Sequence, residues 1–175
     1  MKTPILETER LLLRPMTVND SEEVFRNWAS DAEVAKFMRW STHENVEVTR
    51  QWLESEEKEI ESEQLYDWGF VLKETGELIG SGGLSWVQEK GMYELGYNIM
   101  RKYWNQGLTT EAAKEIVRFG LEELKAEKLY SCHAKENPAS GRVMVKAGFQ
   151  YWKDAVYSSW DHTKTYECRE YILTK

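Results

Sequence analysis

From Trp68 the hydrophobic pattern changes to a period of two, in runs joined by short polar turns. Trp68, Phe70 and Leu72 alternate with smaller or polar neighbours, Glu74-Thr75-Gly76-Glu77 reads as a hairpin turn, and Leu78 to Val87 returns as a strand. A third run follows, in which Tyr93, Leu95, Tyr97 and Ile99 alternate with Glu94, Gly96, Asn98 and Met100. A period of two sends successive side chains to opposite faces of a pleated strand, and tight turns join such strands antiparallel. The centre of the chain therefore folds as an antiparallel meander, whose third strand has one apolar face and one polar, small-residue face.

The flanks carry helical signals. Leu11-Leu12-Leu13-Arg14-Pro15 reads as a short strand stopped by proline, and Asn19-Asp20 offers a cap for a helix holding Val24, Phe25 and Trp28. Ser41-Thr42-His43-Glu44 has the form of a capping box before a long polar helix with Val48, Trp52 and Ile60. Beyond Gly107, Ala112, Ile116 and Gly120 form one helical row and Ala113, Val117 and Leu121 its neighbour. Leu129 to Ala134 reads as a strand, Asn137-Pro138 opens another helix that Gly148 ends, and the aromatic-rich C-terminal stretch reads as a hairpin turning at Asp161-His162-Thr163. The Glu-rich stretch Glu54 to Glu63 is read as a solvated helix face.

Composition narrows the function classes. With 175 residues and 41% hydrophobic content, residues 1–175 suffice for one α/β core and are short for two domains. Lys+Arg 23 against Asp+Glu 30 gives a net charge of -7, so no overall basic field draws in nucleic acid, whereas a cationic substrate suits that balance. The lead-in to Glu7, Glu9 and Arg10 contains no long apolar run, so no membrane association is expected and a cytoplasmic location is. Cys132 and Cys168 are expected as reduced core thiols, and with three His they form no metal-ligand spacing, so no metal is expected.

The chemistry concentrates in Arg101-Lys102-Tyr103-Trp104-Asn105-Gln106-Gly107-Leu108-Thr109-Thr110-Glu111-Ala112, between a strand and an amphipathic helix. A glycine there lets the chain turn tightly, and a helix start offers unpaired N–H donors and positive dipole character to an anion such as phosphate. Taken alone, Gly107 reads as a plain strand-to-helix turn rather than a phosphate site.

The order of elements resembles the acetyltransferases of the GNAT superfamily across essentially the whole chain. Within it, several segments are similar to the ribosomal-protein alanine acetyltransferase branch, called RimJ/RimL-like: Leu6-Glu7-Thr8-Glu9-Arg10-Leu11-Leu12-Leu13-Arg14, Tyr93-Glu94-Leu95-Gly96-Tyr97, the Tyr103 to Ala112 loop, Asn137-Pro138-Ala139-Ser140, and Lys146-Ala147-Gly148-Phe149. Two of the three positions of the superfamily's phosphate-loop signature depart here, at Trp104 and Thr109. The resemblance implies an α+β, GNAT-type fold: a twisted, mostly antiparallel central sheet of about six to seven strands with helices on both faces. It implies acetyl-CoA as co-substrate, with Gln106, Gly107, Leu108, Thr109 and Thr110 holding the pyrophosphate. Main-chain groups of Ile99, Met100 and Arg101, together with Asn137, would hold the pantetheine arm, and Arg142 and Lys146 could face the adenosine phosphates.

Transfer to an amine needs a free lone pair on the attacking nitrogen and a donor for the leaving sulfur. An alkyl ammonium with a pKa of about 10 must first lose a proton, and Glu94 on the polar strand face is the first candidate base, with His133 and Glu136 in reserve. The tyrosine that many superfamily members use as acid is replaced by Met144, and the branch likeness suggests Ser140 instead. Trp40, Trp86, Tyr157 and Trp160 could wall an acceptor site for a peptide N-terminus, a polyamine or an amino sugar. A CoA-binding regulatory module and a cofactor-free interaction domain are the competing classes. The aromatic-rich last strands could supply an edge for a homodimer.

Overall fold

The computed structural model describes residues 1–175. Its strands are β1 (Leu6–Glu7), β2 (Leu11–Arg14), β3 (Leu65–Leu72), β4 (Leu78–Val87), β5 (Met92–Ile99), β6 (Lys128–Ala134), β7 (Gln150–Ser158) and β8 (Thr165–Thr174). The helices are α1 (Ser21–Val24), α2 (Ala32–Ala35), α3 (Val46–Lys58), α4 (Leu108–Arg118) and α5 (Pro138–Lys146). They build a mixed α/β architecture, an eight-stranded sheet in the order β1-β2-β3-β4-β5-β6-β8-β7 flanked by helices. The strand count exceeds the expected six to seven because the two-residue β1 adds an edge beside β2.

The period-two runs fold as read. Trp68 lies opposite Gly82, and Gly83 opposite Gly96, in antiparallel register across β3, β4 and β5, with one register shift between β3 and β4 at Phe70/Val71. The helical punctuation differs. Thr17, not Asn19-Asp20, caps the first helical turn, because its side chain accepts from Asn19 N–H while Asp20 reaches back to the Thr17 N–H. Asn45 caps α3 in place of the Ser41 box, and Ile60 falls beyond the helix end. The short α2 had no periodic signal, since four residues make barely one turn.

Two cores hold the sheet. One face packs Trp68, Phe70, Ile116, Phe119 and Leu129 beneath α4 and α5, in a cluster of 22 buried residues. Trp68 meets Phe119 edge to face at 5.2 Å between ring centres, a geometry worth about 0.5–1.5 kcal/mol beyond area burial. The other face packs Met16, Val24, Trp28, Leu53 and Leu78 under α1 to α3.

One joint in the sheet is different. β5 and β6 run parallel and pair only at Tyr93–Leu129 and Glu94–Tyr130. Beyond Glu94 the two strands diverge, opening a cleft in the middle of the sheet.

Candidate active site

The divergence leaves main-chain groups of β5 without a strand partner. Met100 N–H bonds Ile79 C=O at 2.8 Å, so by antiparallel alternation Leu95, Tyr97 and Ile99 turn theirs away from β4. Ser131 Oγ donates to Leu95 C=O and Trp104 Nε1 to Ile99 C=O, each at 2.8 Å. Tyr97 and the Ile99 N–H thus face the cleft. Met100 C=O already accepts from Tyr103 N–H, Arg101 C=O from Trp104 N–H, and the Arg101 guanidinium pairs with Asp31. Of the three positions expected to hold an arm in the cleft, Ile99 keeps a main-chain donor for it, whereas Met100 is engaged on both sides.

At the mouth of the cleft Gly107 is the N-cap of α4, with φ +76, and no side chain caps the helix. The first N–H groups of α4, at Leu108, Thr109 and Thr110, therefore have no intrahelical acceptor. The opposite, carbonyl side of the loop is clamped. Arg10 Nη1 donates to Gln106 C=O at 3.0 Å and Arg10 Nε to Glu111 Oε1 at 2.8 Å, while Thr8 Oγ1 donates to Glu111 Oε2 at 2.5 Å. Burial pushes the Glu111 carboxyl up, but these bonds together outweigh it and hold the carboxyl below the usual range. Pinned carbonyls on one side and orphaned N–H groups on the other fit an anion such as a pyrophosphate.

Across the cleft, Asn137 begins α5, but its side chain makes no capping bond, which leaves the amide free toward the cleft it lines. Ser140, one turn on, sits against Tyr97: the phenol donates to Ser140 C=O at 2.7 Å and lies 3.1 Å from Ser140 Oγ. Deeper in, Glu94 pairs with Arg39 at 3.1 Å, and Cys132 Sγ lies 3.9 Å from the same carboxyl oxygen. Burial raises the Glu94 carboxyl above its ordinary value, with Arg39 and Lys90 pulling it back. The loop, Asn137, Ser140 and Glu94 all line one cavity of about 930 Å³.

The acetyltransferase (GNAT) domain profile matches residues 10–150. The chain is 30% identical to the uncharacterized N-acetyltransferase YoaA of Bacillus subtilis over 84% of this chain and 83% of that one. The chain belongs to the GNAT acetyltransferase family. It is an acyltransferase. Two solved structures share its fold: a ribosomal-protein alanine acetyltransferase from Vibrio fischeri (TM-score 0.81, 14% identity, 98% and 96% of the two chains) and the microcin self-immunity acetyltransferase MccE, in complex with acetyl-CoA and AMP (TM-score 0.81, 13% identity, 96% and 94%).

Other expected site residues separate on this GNAT frame. His133 is a packed strand histidine: Nδ1 contacts Ala134 C=O at 2.7 Å, Nε2 contacts the Tyr171 hydroxyl at 3.2 Å, and the ring sits 2.6 Å from where a Cβ at Gly141 would stand. Glu136 is exposed outside the cleft, and Met144 is buried at the cleft wall as part of the core. Arg142 and Lys146 are exposed at the cleft edge. Trp40, Tyr157 and Trp160 line the cavity, whereas Trp86 meets Tyr93 edge to face outside it, at 5.1 Å between ring centres.

The sequence reading missed three cleft features. Arg39 bridges Glu94 and Cys132, lies over the Tyr157 ring at 5.5 Å, and its carbonyl accepts from Trp160 N–H at 2.8 Å. Glu56, assigned to the solvated face of α3, lines the cleft beside Asp67 of β3. Burial, then the neighbouring Glu56, holds the Asp67 carboxyl well above the usual range. Tyr97 was read only as an apolar strand residue. A one-dimensional pattern carries no signal for these pairings, which join positions distant in sequence.

Proposed function

We propose that residues 1–175 act as one catalytic domain, an acetyl-CoA-dependent N-acetyltransferase that passes acetyl to a primary amine by direct attack while both substrates are bound. The observation that carries this reading is the single cleft running from the orphaned N–H groups at Gly107, past Asn137 and Ser140, to Glu94. Backbone N–H groups from Gln106 to Thr110 would hold the pyrophosphate, while Tyr97 and Ile99 main-chain groups and the Asn137 amide would hold the pantetheine arm. When bound, acetyl-CoA supplies an activated acyl carbon on a sulfur leaving group.

The residues then divide the work. Glu94 takes a proton from the acceptor ammonium, and its raised pKa makes it a better base than an exposed carboxylate. Arg39 holds that carboxylate toward the cleft. Ser140 Oγ donates a hydrogen bond to the departing sulfur as the C–N bond forms and the C–S bond breaks. Proton handling of this kind typically contributes ~10²–10⁴-fold, whereas orienting two bound reactants can supply ~7–11 kcal/mol of the barrier, so positioning dominates.

The acceptor end favours a cation. Glu94 and Glu56 face the cavity together with Trp40, Trp52, Tyr157 and Trp160, and aromatic faces attract ammonium groups. Peptide or protein N-termini and small amines such as polyamines and amino sugars share that chemistry. The test is a panel of these amines with acetyl-CoA, read by thiol release and by initial velocities with both substrates varied. Intersecting lines are expected. Parallel lines would show that acetyl leaves CoA before the amine binds and would overturn direct attack.

A further inference from the structure

We propose that Tyr97 is the positioning residue for Ser140, so that the two hydroxyls act as one donor unit at the sulfur end of the cleft. The inference rests on the reading of Ser140 as the donor to the leaving sulfur. Tyr97 lies in β5 and Ser140 in the first turn of α5, 43 positions later, and two contacts join them. The phenol donates its one hydrogen to Ser140 C=O at 2.7 Å. Its oxygen is then an acceptor in the 3.1 Å contact, and the donor there is the serine Oγ–H. The first contact fixes the backbone of α5 and the second fixes the side chain of Ser140.

The open joint in the sheet makes this contact reachable. Strand pairing between β5 and β6 stops at Glu94 and Tyr130, so at Tyr97 no neighbouring strand stands between β5 and α5. The ring packs against the main core, and burial pushes the phenol pKa up, which keeps it neutral throughout the working range. Tyr97 is therefore neither a base nor a source of charge. It anchors a serine whose three free rotamers would otherwise point its hydroxyl at the sulfur only part of the time.

During transfer the electron pair of the C–S bond goes to sulfur, and the Ser140 hydrogen swings from Tyr97 Oη to that sulfur while remaining bonded to Oγ. The proton that the sulfur finally takes is the one released by the attacking nitrogen. No net proton is lost from either hydroxyl, so the unit resets without a further reactant.

A double-mutant cycle tests the coupling. Tyr97→Phe, which keeps the ring, is expected to lower kcat about 10-fold, with the KM for acetyl-CoA within about twofold of wild type. Ser140→Ala is expected to lower kcat about 10²-fold, and the double variant to be no slower than Ser140→Ala alone. Thermal stabilisation of each variant by acetyl-CoA reads whether it is folded and loaded. If Tyr97→Phe slows the Ser140→Ala enzyme by the same factor as the wild type, Tyr97 is a core residue only and the proposal is overturned. If Ser140→Ala turns over at the wild-type rate, the reading of Ser140 itself fails, whatever Tyr97→Phe does.

Discussion

Glu94 is a carboxylate held between opposing influences. Burial raises its pKa and Arg39, 3.1 Å away, pulls it down. As the proposed base it would work only when ionised, so the rate is expected to fall in an acid limb as pH drops through a pKa above the ordinary carboxylate range. Glu94→Gln is expected to lower kcat/KM about 10²-fold and to erase the limb, while Arg39→Ala, by removing the downward pull, moves the limb to higher pH. Both follow from pH-rate profiles, and a limb that stays in place in Glu94→Gln removes the base assignment. Sequence could nominate Glu94 because it lies on the polar face of a strand entering the loop. It could not supply Arg39, which reaches the site from the connection between α2 and α3, 55 positions earlier.

At the scale of elements, the Gly107 loop is a strand-to-helix turn with a clamp behind it. The turn was legible, because Gly107 precedes the apolar rows of α4, and those rows are the ones buried, at Ala112, Ala113, Ile116 and Val117. The clamp was not, since Arg10 and Glu111 are 101 positions apart. With φ at +76, an alanine at Gly107 costs about 1 kcal/mol of stability and displaces the N–H groups around it. Arg10→Ala frees Gln106 C=O and Glu111 and is expected to raise the KM for acetyl-CoA about 10-fold, or about 1.4 kcal/mol, with the amine KM unchanged. The Glu111 carboxyl is held low in the fold, so its contribution is full above the unfolded value of about 4.3 and is lost as pH falls through the folded value. An amine KM that rises in step with that for acetyl-CoA would show that the clamp shapes the whole cleft rather than the loop.

For the whole molecule, the decisive feature is a sheet that comes apart in its middle. The meander of β3, β4 and β5 could be read because each strand pairs with its neighbour in sequence. The parallel contact of β5 with β6 could not, because a helix lies between the two strands, and nothing in either says that pairing ends after two residue pairs. An open joint is a weak seam that a ligand bonded to both sides would close, so loading the cleft should stabilise the entire fold. Acetyl-CoA at 100 times its dissociation constant adds about 2.7 kcal/mol, and at about 2–4 °C per kcal/mol for a chain of this size the unfolding midpoint rises by about 5–11 °C. Pantetheine at the same concentration, lacking the pyrophosphate that the Gly107 loop would hold, is expected to give a much smaller rise. Equal shifts from the two would place the binding energy in the cleft walls instead of the loop, and no shift with millimolar acetyl-CoA would mean that the joint is held open by the protein alone.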